Sequence, residues 1–274
     1  MIAPLMIVAV VLGLVEGITE FLPISSTGHL IVAGSLLGFT GERAATFEIV
    51  IQVGAILAVV WHYRLVLLDL VARMFTAAPE RRMATNIVVA FLPAALVGLG
   101  LHHWIKAHLF NPITVAAAFM VGGLAIFLAE WLRPAITTPD AQSMTTRQAI
   151  GVGCAQVLAL IPGTSRSAAT ILGGYLFGMS RPAATEFSFL LAIPTLVAAA
   201  GYDAFKSRAL FTAADAPIFL VGTAVSFVAA LLVIRGFLRY VQGHSFRAFA
   251  WYRIAFGAVI LILAAMHLLR MDAA

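Results

Sequence analysis

Two short segments carry residue types that an apolar chain rarely keeps without a chemical use. In the first, Glu16 and Glu20 lie four residues apart, and Ser25-Ser26-Thr27-Gly28-His29 follows closely. If residues 5–21 are helical, both carboxylates share one helix face, where they repel unless one keeps a proton or a cation sits between them. The first arrangement supplies a general acid and base; the second is a divalent-metal site. A blander reading is a helix end that reaches water and leaves both groups solvated. The second segment is Pro162-Gly163-Thr164-Ser165-Arg166-Ser167. Pro and Gly break a helix and free backbone N–H groups, and the hydroxyls add donors. A helix starting near Ser167 would present its positive end, and Arg166 offers a fork that matches phosphate oxygens. The alternative there is a simple Pro-Gly turn with an interfacial arginine.

The elements that must position these residues follow from composition. Of 274 residues, 62% are hydrophobic and 11% charged, against roughly 25% charged in an average soluble domain. A mean hydropathy of +1.02 leaves too little polar cover for a water-soluble fold, which excludes a cytosolic enzyme and a disordered regulator. The single cysteine, Cys154, excludes an internal disulfide framework. The net charge of +5 comes from scattered residues, without a basic stripe interleaved with aromatics, so no nucleic-acid partner is expected. The first Lys or Arg is Arg43, so the apolar start has no basic region of a signal peptide.

Six apolar runs fit a bilayer crossing: 47–63, 83–101, 113–132, 184–202, 217–235 and 249–269. Residues 2–37 and 149–178 are apolar too, but each is broken at one of the two polar segments. The flanks are short for a crossing, so both read as re-entrant helix hairpins lining a polar cavity. The expected fold is an all-α polytopic membrane protein with six transmembrane helices plus two re-entrant hairpins.

The halves also echo each other. Phe21-Leu22-Pro23-Ile24-Ser25-Ser26 aligns with Leu160-Ile161-Pro162-Gly163-Thr164-Ser165 at an offset of 139, and Phe47–Gln52 aligns with Phe187–Ala192 at 140. A broken hairpin followed by three spans in each half predicts a duplication within one membrane domain, 1–274. Its first repeat is 1–133 and its second is 147–274. Three spans per half is odd, so the repeat would be of inverted topology. With loop 64–82 cytoplasmic, that side holds Arg64, Arg73, Arg81, Arg82, Arg133, Arg147, Arg181, Arg235, Arg239 and Arg247. The other side holds Arg43, Lys106, Lys206, Arg208 and Arg270, as the positive-inside rule requires. Arg166 and Arg253 fall on neither side and need a reason within the membrane.

Other polar residues have bland readings beside functional ones. Glu48 and Gln52 share a helix face and either support the carboxylate pair or pack between helices. Glu186 does the same in the second half or caps its span. Arg253 pairs with an intramembrane carboxylate or snorkels to the surface. His102, His103 and His108, in a loop with Trp104 and Lys106, read as an interfacial anchor rather than a metal cluster.

EGITEFLPISSTGHL (16–30) and LIPGTSRSAAT (160–170) resemble the two signature regions of the undecaprenyl-diphosphate phosphatase family, the bacitracin-resistance proteins. FEIVIQVGAILAVVW (47–61) and WYRIAFG (251–257) resemble two of its other segments, and length and motif order match over nearly the whole chain. The resemblance implies a multi-pass enzyme of the bacterial inner membrane with its active site facing the periplasm. It would hydrolyse undecaprenyl diphosphate to undecaprenyl phosphate and inorganic phosphate, recycle the lipid carrier for cell-wall synthesis and confer bacitracin resistance. It also implies a divalent cation, Mg²⁺ or Ca²⁺, held by Glu16 and Glu20. Carried over, the catalytic set is Glu16, Glu20, Ser26, His29 and Arg166, with Ser25, Thr27, Gly163, Thr164, Ser165, Ser167 and Thr170 lining the phosphate pocket. Ser26, His29 or an activated water could be the nucleophile. A polyprenyl-phosphate transporter or flippase could reuse the same inverted-repeat pocket without bond cleavage. The partners expected are the lipid substrate and membrane lipid, and a homodimer stays open.

Overall fold

The computed structural model describes residues 2–132, 134–206, 208 and 215–269. Arg133 and Arg270, two of the basic residues in the sidedness count, lie outside them, as do the side chains of His102 and Lys106. In the first half, α1 (Ile2–Thr19) and α2 (Ser26–Leu36) flank a break. They lead into α3 (Glu42–His62), α4 (Arg64–Arg73), α5 (Ala78–Leu109) and α6 (Pro112–Leu132). The second half repeats a break between α7 (Thr146–Val157) and α8 (Arg166–Leu176), then continues as α9 (Arg181–Lys206), α10 (Ala216–Gly243) and α11 (Arg247–Ala265). By length and composition, α3, α5, α6, α9, α10 and α11 can cross a membrane, and each contains or overlaps one predicted span.

Two stretches depart from the sequence reading. The predicted loop 64–82 holds a helix, α4, none of whose residues is buried. The predicted histidine loop is the continuation of α5, because nothing breaks the helix before Asn111-Pro112. There the His108 Nδ1–H donates to the Trp104 carbonyl, 2.9 Å away, and the imidazole stacks on the Trp104 ring. Asn111 then starts α6, its side chain accepting from the Thr114 N–H at 2.9 Å.

The halves interleave. α1 packs along α10, and α7 packs along α5, so each broken pair rests on a long helix of the other half. α6 pairs with α11, and α3 with α9. Close approach is built from small residues: a Cβ on Gly13 would lie 2.6 Å from the Gly222 carbonyl oxygen, and one on Gly153 would lie 2.8 Å from that of Ala90. The apolar core joins both halves, with Phe21 and Phe189 meeting edge to face at 5.2 Å.

The two breaks end in the same backbone conformation. Ser25 precedes α2 with φ 71° and ψ 101°, and Ser165 precedes α8 with φ 73° and ψ 117°. Non-glycine residues seldom adopt positive φ, and such strain collects at functional sites. This match puts Ser25 opposite Ser165 at an offset of 140, one residue from the pairing suggested by side-chain types and equal to the offset of the following spans. It makes Ser26 the counterpart of Arg166, each the first residue of its helix.

Candidate active site between the two breaks

The helix α1 ends at Thr19, yet the Glu20 N–H still donates to the Glu16 carbonyl at 2.9 Å, which keeps the two carboxylates on one face. Leu22-Pro23 then turns the chain away from helical geometry, and α2 begins at Ser26. Across from it, Gly163 adopts φ 92°, and a Cβ there would lie 2.5 Å from the Val115 carbonyl oxygen. No other residue fits so tight a turn. Ser165 caps α8, its hydroxyl accepting from the Ala168 N–H at 3.2 Å.

Between the breaks lies a cavity of about 140 Å³, lined by Glu20, Ser25, Ser26, Thr27, Gln52, Gly163, Ser165 and Arg166, with apolar walls from Ile161, Pro162 and Leu196. The Ser26 hydroxyl donates to Glu20 Oε2 at 2.5 Å. Arg166 donates to the other oxygen, Oε1, from Nη2 at 3.1 Å and from Nε at 3.4 Å. One carboxylate thus holds a hydroxyl from the first break and a guanidinium from the second. The Arg166 side chain is braced by the Ser188 carbonyl at 3.1 Å and by the Phe21 ring, whose centroid is 5.8 Å from its Cζ.

The remaining predicted residues divide by position. Ser167, fully buried, donates to the Leu22 carbonyl at 2.7 Å and so ties the second break to the first. Thr170 lies deeper, with its hydroxyl 2.6 Å from that of Ser188. Thr164 closes the turn through its N–H to the Ile161 carbonyl at 3.1 Å. None of these three lines the cavity. Glu16 is buried behind Glu20, and its Oε1 has no hydrogen-bond partner.

His29 is turned away from the cavity. Its Nδ1–H donates to the Ser25 carbonyl at 2.7 Å, which fixes the tautomer, because a carbonyl only accepts. Nε2 of the neutral ring then accepts from the Tyr252 hydroxyl at 2.6 Å. The ring is stacked on Phe256 with centroids 4.1 Å apart. The imidazole thus supports the strained Ser25 from behind, while the group touching Ser26 Oγ is Glu20.

Arg253 takes neither course expected of it. It does not snorkel, being fully buried, and its hydrogen bonds go to carbonyls rather than a carboxylate: Phe119 at 3.3 Å, Pro23 at 3.2 Å, Ala118 at 2.9 Å and Gly163 at 3.0 Å. Backbone acceptors leave no trace in a sequence, so only an arginine inside a span signalled it. Tyr252 lies in the WYRIAFG segment that resembles the family, but its pairing with His29 has no signal in the sequence.

Comparison with known proteins agrees with the geometry. The family described as Bacitracin resistance protein BacA matches residues 9–259. Undecaprenyl-diphosphatase 2 of Rhodospirillum rubrum is 56% identical over 258 residues, covering 94% of this chain and 94% of that protein. The undecaprenyl-diphosphatases of Pseudomonas fluorescens and Dechloromonas aromatica are 53% and 54% identical, over 92% and 94% of both chains in each pair. With the match spanning both breaks and all but the outermost turns, this multi-pass membrane protein belongs to the bacitracin-resistance family BacA.

Proposed function

We propose that this chain is an undecaprenyl-diphosphatase whose site is the cavity between the breaks, releasing inorganic phosphate and leaving undecaprenyl phosphate. The observation that carries the assignment is the shared carboxylate: Glu20 accepts from Ser26 through one oxygen and from Arg166 through the other. A binding pocket for a lipid phosphate needs the cation but has no use for a hydroxyl held against a base. In the reaction, Ser26 Oγ attacks the terminal phosphorus as Glu20 takes its proton. The bond to the bridging oxygen breaks, and undecaprenyl phosphate departs with the electron pair. Arg166, released to the substrate, neutralises charge on the equatorial oxygens together with the N–H groups around Ser165. Glu20 passes the proton it took from Ser26 to the departing undecaprenyl phosphate and is a base again. It then takes a proton from the water that attacks the phosphoseryl phosphorus and returns it to Ser26 Oγ as inorganic phosphate leaves. The polyprenyl tail stays in lipid, so only the headgroup enters the cavity.

A divalent cation fits the donor set. Among the described residues no three His, Cys, Asp or Glu side chains gather to form a closed metal site. However, Glu16 Oε1 is buried and unpartnered next to Glu20, and Mg²⁺ is commonly held by one or two carboxylates with substrate phosphates completing its shell. Glu16 and Glu20 would hold the ion, which would supply charge neutralisation at the diphosphate.

The same reading makes α1–α2 and α7–α8 re-entrant hairpins of an inverted repeat, with repeats 1–133 and 147–274. It is supported by the matched backbones of Ser25 and Ser165 and by the interleaved packing of the halves. The excess of arginine around loop 64–82 supports a cytoplasmic position for that loop, and the family resemblance supports an inner-membrane location with the site facing the periplasm.

Phosphate release from a polyprenyl diphosphate by the purified protein, with and without EDTA and beside Glu20→Gln and Arg166→Ala, tests the proposal. Metal-dependent release lost in both variants is the expected result. Folded protein that binds the lipid phosphate but releases nothing would replace hydrolysis by transport.

A further inference from the structure

We infer that Arg253 is a positioning residue that holds the two breaks at the separation catalysis requires. The inference rests on the hydrolase reading above. Two of its four acceptors, the Pro23 and Gly163 carbonyls, are 140 residues apart, the offset that relates Ser25 to Ser165. Arg253 therefore grips equivalent points of the two breaks. From each grip the chain runs three residues to a reacting group, Pro23 to Ser26 and Gly163 to Arg166.

The other two acceptors anchor the guanidinium to α6 at Ala118 and Phe119, with the Phe119 ring centroid 5.2 Å from Cζ. α11, which carries Arg253, packs along α6, so the clasp is mounted on a helix pair outside both breaks. Its place is reserved: a Cβ on Gly122 would land on the guanidinium. Only a planar group with five donors can serve four carbonyls at once; an ammonium has three donors on one point.

Burying a cation away from water is costly unless its hydrogen bonds are made. None of the ion pairs among the described residues includes Arg253, so the carbonyl dipoles bear that compensation. Two of those carbonyls, Pro23 and Gly163, sit in the breaks outside any helix, and they would lose this donor if Arg253 were removed. Arg253 has no hydrogen bond to Ser26, Glu20 or Arg166, so its effect on them runs through the backbone.

The test uses the full chain in detergent with Arg253→Gln, Arg253→Lys and Gly122→Ala. Gly236→Ala is the control, at a glycine with no atom within 4 Å of an added Cβ. Turnover is measured per folded molecule. In parallel, spin labels at Leu36 and Leu176, on a Cys154→Ala background, report the distance between the ends of α2 and α8. Arg253→Gln is expected to lower kcat by about a hundredfold with KM changed by less than about threefold, as misplacement of reacting groups does. Arg253→Lys should recover part of that loss. The spin–spin distance distribution should broaden in Arg253→Gln and in Gly122→Ala and stay narrow in Gly236→Ala. A distribution as narrow as wild type in both clasp variants overturns the inference, whatever the turnover. If Arg253→Gln does not fold, Gly122→Ala alone decides. If wild type releases no phosphate yet its distribution still depends on Arg253, the clasp stands and the hydrolase reading falls.

Discussion

Ser26 Oγ and Glu20 Oε2 lie 2.5 Å apart across the first break, and the second oxygen of the same carboxylate belongs to Arg166. The groups proposed as nucleophile, base and principal cation are therefore joined before substrate arrives. Because the site is buried, this preorganisation needs no reorganisation of water at the moment of reaction.

Glu20→Gln keeps the shape of the side chain and removes the base. Turnover should fall by about 10²–10⁴-fold, and Ser26→Ala should be at least as inactive. Rapid quenching followed by mass spectrometry should find phosphate on Ser26 in wild type. A phosphorylated histidine in its place would reassign the nucleophile.

Arg166→Lys retains charge but loses the two-nitrogen grip on Glu20 Oε1. An ammonium cannot reproduce the fork, so the variant should lose about 10²-fold or more in kcat/KM. Near wild-type kinetics would remove Arg166 from the reaction.

For His29 the expected order of variants distinguishes support from catalysis. Asn places an amide N–H close to where Nδ1 sits, so His29→Asn should keep much more activity than His29→Ala by preserving the bond to the Ser25 carbonyl. Tyr252→Phe, which removes the partner of Nε2, should cost less than about tenfold, below the range typical of a lost general base. Equal inactivity of His29→Asn and His29→Ala, with a large loss in Tyr252→Phe, would make the ring a proton carrier.

Ser25 offers a stability test. At φ 71°, without a capping hydrogen bond from its side chain, it is strained. Ser25→Gly should raise folding stability by about 1 kcal/mol and Ser25→Val should lower it by at least as much. Thermal unfolding in detergent reads both.

Chelation should abolish turnover in wild type, and Mg²⁺ or Ca²⁺ should restore it. Glu16→Gln, which alters the unpartnered buried oxygen, should raise the cation concentration needed for half-restoration by about tenfold or more. An unchanged requirement would move the ion away from Glu16.

Much of this was legible before any coordinates because the membrane makes sequence speak plainly. Runs of about 20 apolar residues gave the six crossings, and Pro23 and Pro162-Gly163 marked the breaks because proline and glycine interrupt helices. What stayed hidden depends on rotation and on distant pairing. His29 and Ser26 are three residues apart on α2, yet one turns towards Tyr252 and the other towards Glu20. The cationic partner of Glu20 is 146 residues away, and the hydrogen-bond partners of Arg253 are main-chain oxygens, which every residue type supplies equally. The extension of α5 is not legible because its polar histidines resemble a loop, although none of them stops a helix.

The interleaving of the halves has a consequence for biogenesis. The hairpin made first, α1–α2, must wait for α10 to cover its glycine face and for α11 to deliver Arg253. A nascent chain halted after α9 would contain Ser26, Glu20 and Arg166 but lack the helices that close the seams around them. On the inferred role of Arg253, the site would be complete only once α11, the last helix, is in place.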